Sequence, residues 1–139
     1  MAFGQNEAQN KKAEELDPIV VESSPLSPSA SDTTQAWSVV EGKKLDRTKA
    51  NTLGQTLADE PGISQSYFGP SASRPIIRGL DKHRVLVLEN GVSLFDVSSS
   101  SEDHAVPLDT MLVDRIEVLR GASALLYGGN AIGGVVNVI

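Results

Sequence analysis

Apolar positions in this chain fall into short runs whose spacing becomes regular after about residue 35. Trp37-Ser38-Val39-Val40 alternates with the period of two that a short strand requires. Leu53 and Leu57 share one helical face, which predicts a helix over 52–59 with Asn51 or Thr52 as its cap. Pro61-Gly62 ends that helix, because proline disfavours helical backbone at Glu60. Residues 63–67 and 75–78 read as extended segments on either side of the loop Gly69-Pro70-Ser71-Ala72-Ser73. The strongest local pattern is a hairpin, in which Val85-Leu86-Val87-Leu88 and Val92-Ser93-Leu94-Phe95 flank Asn90-Gly91. That dipeptide suits a type I′ turn, which needs positive φ at both central positions. A polar loop over 96–106 and a helical turn over 107–111 come next. The strand predicted over 113–119 has Ile116 and Val118 on one face and Arg115, Glu117 and Leu119 on the other. A short helix over 122–127 is closed by Gly128-Gly129, and Gly133-Gly134 leads into a last strand over 135–138. Together these elements predict an α+β fold: a small mixed β-sheet with short helices and long loops.

The first 34 residues show none of this patterning. They are rich in Glu, Lys, Ser and Pro, and Pro18, Pro25 and Pro28 interrupt any regular element. The expected organisation is a flexible, disordered segment over 1–34 followed by one domain over 35–139. One apolar island, Pro18-Ile19-Val20-Val21, favours extended backbone through its β-branched residues. On these residues alone it is either a stray apolar patch or a docking segment.

Composition narrows the function. Hydrophobic residues make up 40% of the chain and aromatics 4%, so the core rests on Val, Ile, Leu and Ala. Such a core gives modest stability unless a partner encloses the domain. A net charge of -6 argues against a nucleic-acid partner and against electrostatic anchoring to anionic lipid. Without cysteine there are no disulfides, thiolate metal sites or cysteine catalysis. No apolar run approaches the roughly 20 residues of a membrane-spanning helix. The stretch Met1-Ala2-Phe3-Gly4-Gln5-Asn6-Glu7 lacks the basic and apolar regions of a signal peptide. This leaves a cytoplasmic protein or a chain whose leader has been removed.

The chemistry of an enzyme is hard to assemble. His83, His104 and many serines are present, but there is no Gly-x-Ser-x-Gly elbow. Gly121, Gly128, Gly129, Gly133 and Gly134 match no dinucleotide or phosphate-loop pattern, and read better as tight turns and close packing. A metal site has partial support. Asp103-His104 offers adjacent oxygen and nitrogen ligands of the kind zinc takes, Glu102 lies beside them, and Asp81 and His83 sit in another loop. The set is incomplete, and a solvated acidic loop with an incidental histidine remains the alternative.

Several segments form an ordered series: Pro61-Gly62-Ile63, Ile77-Arg78-Gly79-Leu80, Arg84-Val85-Leu86-Val87-Leu88-Glu89-Asn90-Gly91-Val92, Asp114-Arg115-Ile116-Glu117-Val118-Leu119-Arg120-Gly121, Ser123-Ala124-Leu125-Leu126-Tyr127-Gly128 and Ala131-Ile132-Gly133-Gly134-Val135-Val136-Asn137. Residues 35–139 thereby resemble the plug domain of TonB-dependent outer-membrane receptors. Two positions depart from the family pattern: Asn90 stands where Asp is usual, and Ala122 where Pro is usual.

The resemblance implies a gate in the outer membrane of a Gram-negative bacterium, with no enzymatic activity. It implies a C-terminal β-barrel partner, for which about 22 strands would need on the order of 200 residues or more beyond those present. Asp17-Pro18-Ile19-Val20-Val21 resembles the TonB box, which implies strand addition to the C-terminal domain of TonB. Arg115, Glu117 and Arg120 are then expected at the plug–barrel contact. Tyr67 and Phe68 are expected in a substrate-face loop, along with the loops over 80–83 and 94–106. Ser101-Glu102-Asp103-His104-Ala105-Val106 resembles the Asp-His segment of zinc-uptake receptors of this family. That implies zinc as transported cargo rather than cofactor, held by Asp103 and His104, with Glu102, His83 and Asp81 as weaker candidates. The alternatives are a ferric siderophore or haem receptor plug and, from another class, a free-standing periplasmic binding module.

Overall fold

The computed structural model describes residues 36–139. In chain order the strands are β1 (Ala36–Glu41), β2 (Ile63–Gln65), β3 (Pro75–Ile77), β4 (Val85–Glu89), β5 (Val92–Ser93), β6 (Arg115–Arg120) and β7 (Gly134–Val138). Two short helices, α1 (Gly42–Thr48) and α2 (Leu53–Leu57), follow β1. Five strands form one mixed sheet in the order β1-β6-β7-β4-β5, and β2 pairs with β3 in a separate ribbon. Within the large sheet β4 and β7 run parallel, Val85 opposite Gly134 and Glu89 opposite Val138, while the other pairs are antiparallel. Parallel neighbours need a long crossover. The chain between β4 and β7 supplies it, and it includes the loop over 94–106, one of the three that form the candidate site.

The sheet is buried on both faces. On one, Val40, Val85, Val87, Ile116, Val118, Val136 and Val138 pack with Leu45 of α1, Leu53 and Leu57 of α2, and Ile63 and Ile77 of the ribbon. On the other, Leu88, Leu119 and Val135 pack with Ala124 and Ala131, backed by Trp37, Leu86 and Tyr127. Ala124 and Ala131 come from 3-10 turns over Ala122–Tyr127 and Gly129–Ala131. The alternation expected along β6 therefore holds. Its second face is nevertheless covered, so Glu117 and Asn137, opposite one another on β6 and β7, are both 0% exposed.

The type I′ turn forms as its dipeptide demands, with φ of 49° at Asn90 and 80° at Gly91. The second arm of the hairpin is shorter than its apolar run suggests. Leu94 N–H still reaches the Val87 carbonyl at 3.4 Å, but the chain then turns away as Asp96 is drawn to Arg74. Helix α1 was not visible in the pattern: among its seven residues only Leu45 is buried, so no apolar stripe announces it. Helix α2 is capped by the Thr52 hydroxyl, which accepts from Gln55 N–H at 3.3 Å, and is shorter than the predicted 52–59. The helical turn expected over 107–111 forms later, over Thr110–Leu112, because the Asp109 carboxylate accepts from Met111 N–H at 3.0 Å. Residues 122–127 wind as 3-10 turns rather than an α-helix. Gly54 has a steric reason to be glycine: a Cβ there would stand 2.4 Å from the Ser73 hydroxyl and 2.8 Å from the Arg74 carbonyl oxygen. Helix α2 thus lies directly on the backbone that leads into β3.

Candidate functional site

Three loops converge around one buried guanidinium. The first joins β2 to β3 and folds back on itself: Ser66 N–H donates to Arg74 O at 3.0 Å, and Phe68 N–H to Ala72 O at 2.9 Å. Its tip leaves Tyr67 and Phe68 more than half exposed. The second holds the 3-10 turn Lys82–Arg84. The third, over 94–106, leaves β5 and contains the 3-10 turn Val97–Ser99. Arg74, at the end of the first loop, is 5% exposed. Its Nη1 donates to the Asp96 carboxylate and the Ser98 hydroxyl, and its Nη2 donates to the Lys82 carbonyl at 3.3 Å. Asp96 in turn accepts from Ser98 N–H at 2.9 Å. Beside this cluster lies an open cavity of about 390 Å³. Its walls include His83, Leu94, Phe95 and Asn130.

The outer part of the third loop carries the sequence-predicted ligands. Asp103 and His104 are exposed, and His104 Nδ1 lies 3.0 Å from Asp103 Oδ1. The Ser101 hydroxyl donates to the same oxygen at 2.5 Å. That hydroxyl first, and His104 second, hold the Asp103 carboxyl below the ordinary carboxylate range. Glu102 does not join them. It pairs with Lys82 of the second loop, and the bond and charge of Glu102 raise the lysine above its ordinary pKa. Among the described residues no group of three or more His, Asp or Glu side chains is placed to hold a metal, so Asp81 and His83 complete no site with the pair.

The charges of β6 are used within the domain. Glu117, expected at the plug–barrel contact, has no exposed surface. Arg115 Nη2 lies 2.9 Å from its Oε1, and Asn137 Nδ2 donates to its Oε2 at 3.2 Å. Asn137 Oδ1 accepts from Gly91 N–H at 2.8 Å, tying the hairpin turn to the middle of the sheet. Arg120 donates to the Pro61 carbonyl and, at 2.8 Å, to the Ser38 hydroxyl. Burial and the Glu117 charge push the nearby Tyr127 phenol above its ordinary pKa. The island Asp17-Pro18-Ile19-Val20-Val21 lies outside the described residues. Sequence reasoning missed Arg74, Asp96 and Ser98, whose only signal is an arginine and an aspartate at the ends of two loops.

Residues 29–135 match the family model of the TonB-dependent Receptor Plug Domain. The chain belongs to that family. The plug is 33% identical over 137 residues to the vitamin B12 transporter BtuB of Vibrio cholerae serotype O1, covering 96% of this chain and 21% of that protein. It is 36% identical over 104 residues to the vitamin B12 transporter BtuB of Photobacterium profundum, covering 73% of this chain and 17% of that protein. Among solved structures, the ferric enterobactin receptor PfeA of Pseudomonas aeruginosa superposes with a TM-score of 0.61 at 27% identity, over 74% of this chain and 17% of that one. The siderophore receptor PirA of Acinetobacter baumannii gives 0.58 at 26% identity, over 74% and 17%. The chain spans about a fifth of the length of the curated relatives it matches. Plug domains of these receptors reside in the Gram-negative outer membrane, which places this chain there. The named relatives are transporters and receptors rather than enzymes.

Proposed function

We propose that the plug gates a TonB-energised outer-membrane importer, and that the Asp103–His104 pair is its first contact with a zinc cargo. The observation that carries the cargo reading is the state of that pair: exposed side by side on a loop, with the carboxylate held ionised and Glu102 kept apart by Lys82. Two ligands are fewer than the four zinc usually takes. A barrel wall around the plug would supply the rest. Coupling then runs through Ile19-Val20-Val21, as an extended segment added to a sheet edge of the TonB C-terminal domain. The test is Zn²⁺ titration of the full-length receptor carrying this plug, comparing the parent with Asp103→Ala, His104→Ala and His83→Ala. The first two lose affinity and the third does not. Unchanged zinc binding by His104→Ala would remove zinc as the cargo.

A second reading has its own support. Tyr67 and Phe68 on the first of these loops and Phe95 on the third are exposed, at 62%, 55% and 93%. Aromatic side chains suit a large chelate, and the named relatives take up vitamin B12 or bind ferric enterobactin. Under this reading, Tyr67→Ala and Phe68→Ala weaken binding of a ferric catecholate while His104→Ala does not.

A further inference from the structure

The Arg74–Asp96 pair is more deeply buried than a loop contact needs to be. The side chains of Arg74 and Asp96 are 6% and 9% exposed, and Ser98 is 0% exposed. Arg74 Nε has no hydrogen-bond partner among the described residues, so the guanidinium is not fully satisfied. Burying two charges carries a desolvation cost that largely cancels their attraction, so a buried pair is weak evidence of stabilisation. What a planar guanidinium does well is fix geometry, because its fork accepts few arrangements of acceptors. Here that fork reaches the start of the third loop at Asp96 and Ser98, and the second loop at the Lys82 carbonyl. The third loop is then wound tightly from Asp96: Ser99 Oγ donates to the Asp96 carbonyl at 2.7 Å, and Ser100 and Ser101 N–H both donate to the Val97 carbonyl at 3.0 Å. Ser101 in turn holds Asp103. Hydrogen bonds, joined by the one-residue backbone step from Asp96 to Val97, therefore lead from Arg74 to the Asp103–His104 pair.

We propose that Arg74 is a positioning residue for substrate capture: its clamp on Asp96 and Ser98 sets the geometry in which the third loop presents Asp103 and His104. The proposal rests on reading that loop as the substrate contact, and it adds the residue that holds the loop in place. The clamp contributes position rather than net stability. Removing both charges together therefore leaves the fold intact and the loop loose.

The experiment uses the full-length receptor with Arg74→Met, Asp96→Leu and the double variant Arg74→Met/Asp96→Leu. Amide exchange is measured first, without cargo. Each single variant leaves one buried charge uncompensated and melts earlier, whereas the double variant melts close to the parent. In all three, amides of Ser98–Ser101 exchange about tenfold faster or more, and in the double variant, whose stability has recovered, those of β6 and β7 keep the parent's rates. Zn²⁺ affinity, measured next, falls in the double variant although its stability has recovered. A purely structural pair would instead restore slow exchange and affinity together with stability, and that result overturns the proposal. Should the double variant fail to fold, Ser98→Ala removes one bond of the clamp and no charge, and is read in the same way. Faster exchange with unchanged Zn²⁺ affinity, in a receptor whose His104→Ala variant has lost affinity, also overturns it. Zn²⁺ binding that does not depend on His104 places the fault in the loop's substrate role, while the exchange data still report on the clamp.

Discussion

Asn137→Leu tests whether the polar pair inside the sheet holds the domain together. Asn137 is fully buried, and its amide makes two bonds that a leucine, branched at the same carbon, cannot make. Nδ2 donates to the Glu117 carboxylate at 3.2 Å, and Oδ1 accepts from Gly91 N–H at 2.8 Å. A hydrogen bond to a charged group is worth about 1.5–3 kcal/mol and a neutral one about 0.5–1.5 kcal/mol. The first is lost in full, because Glu117 has no access to water. The second lies toward the low end, because Gly91 is partly exposed and its N–H can turn to solvent. The leucine gains little in return, as it would face a carboxylate. The net loss is about 2–3 kcal/mol. Against a total of about 5–15 kcal/mol for a domain of this kind, that lowers the melting temperature by on the order of 10 °C. The assay is urea unfolding followed by fluorescence of Trp37, the chain's single tryptophan, which packs on the same face of the sheet. A variant within about 0.5 kcal/mol of the parent would refute the reasoning, since that is the range of a substitution away from any special feature.

Gly54→Ala should destabilise by about 1–3 kcal/mol despite alanine's better helix propensity, because the new methyl meets the Arg74 backbone; equal or higher stability in urea would contradict the close approach. Tyr127 contributes stability that is complete below the ordinary tyrosine pKa and is lost as pH rises through its raised value. Stability of the parent measured between about pH 9 and 11.5 should therefore fall more steeply than that of Tyr127→Phe, and parallel curves would remove the effect. Amide exchange of the chain should find β6 and β7 most protected and residues 102–106 fastest, and uniform protection would contradict a domain whose core is confined to the sheet.

Much of the fold was legible because its signals are local. Asn90-Gly91 specifies its turn, Thr52 its cap, and the runs over 85–88 and 135–138 their strands, each within a few residues of chain. Helix α1 escaped because it buries one leucine, so no periodicity could mark it. The burial of Glu117, expected at the plug–barrel contact, was not legible, because alternation assigns a residue to a face without telling whether that face is covered. Its cover comes from turns over 122–131, whose burial depends on tertiary packing. The clamp was illegible for a related reason. Arg74 and Asp96 are 22 residues apart, and nothing near either one names the other. The Asp103–His104 pair, by contrast, is adjacent in sequence, and its side chains lie exposed with 3.0 Å between His104 Nδ1 and Asp103 Oδ1.

The proposed gate opens through the N-terminal segment that carries Ile19-Val20-Val21. The most direct measurement is accumulation of labelled cargo, Zn²⁺ and in parallel a ferric catecholate, by energised cells whose receptor carries either the parent plug or Val20→Pro. Proline removes a backbone donor that strand addition to TonB would need. Whichever cargo the parent accumulates, the Val20→Pro receptor should bind it with the parent's affinity and accumulate none above the bound amount. Accumulation at the parent's rate would contradict the account.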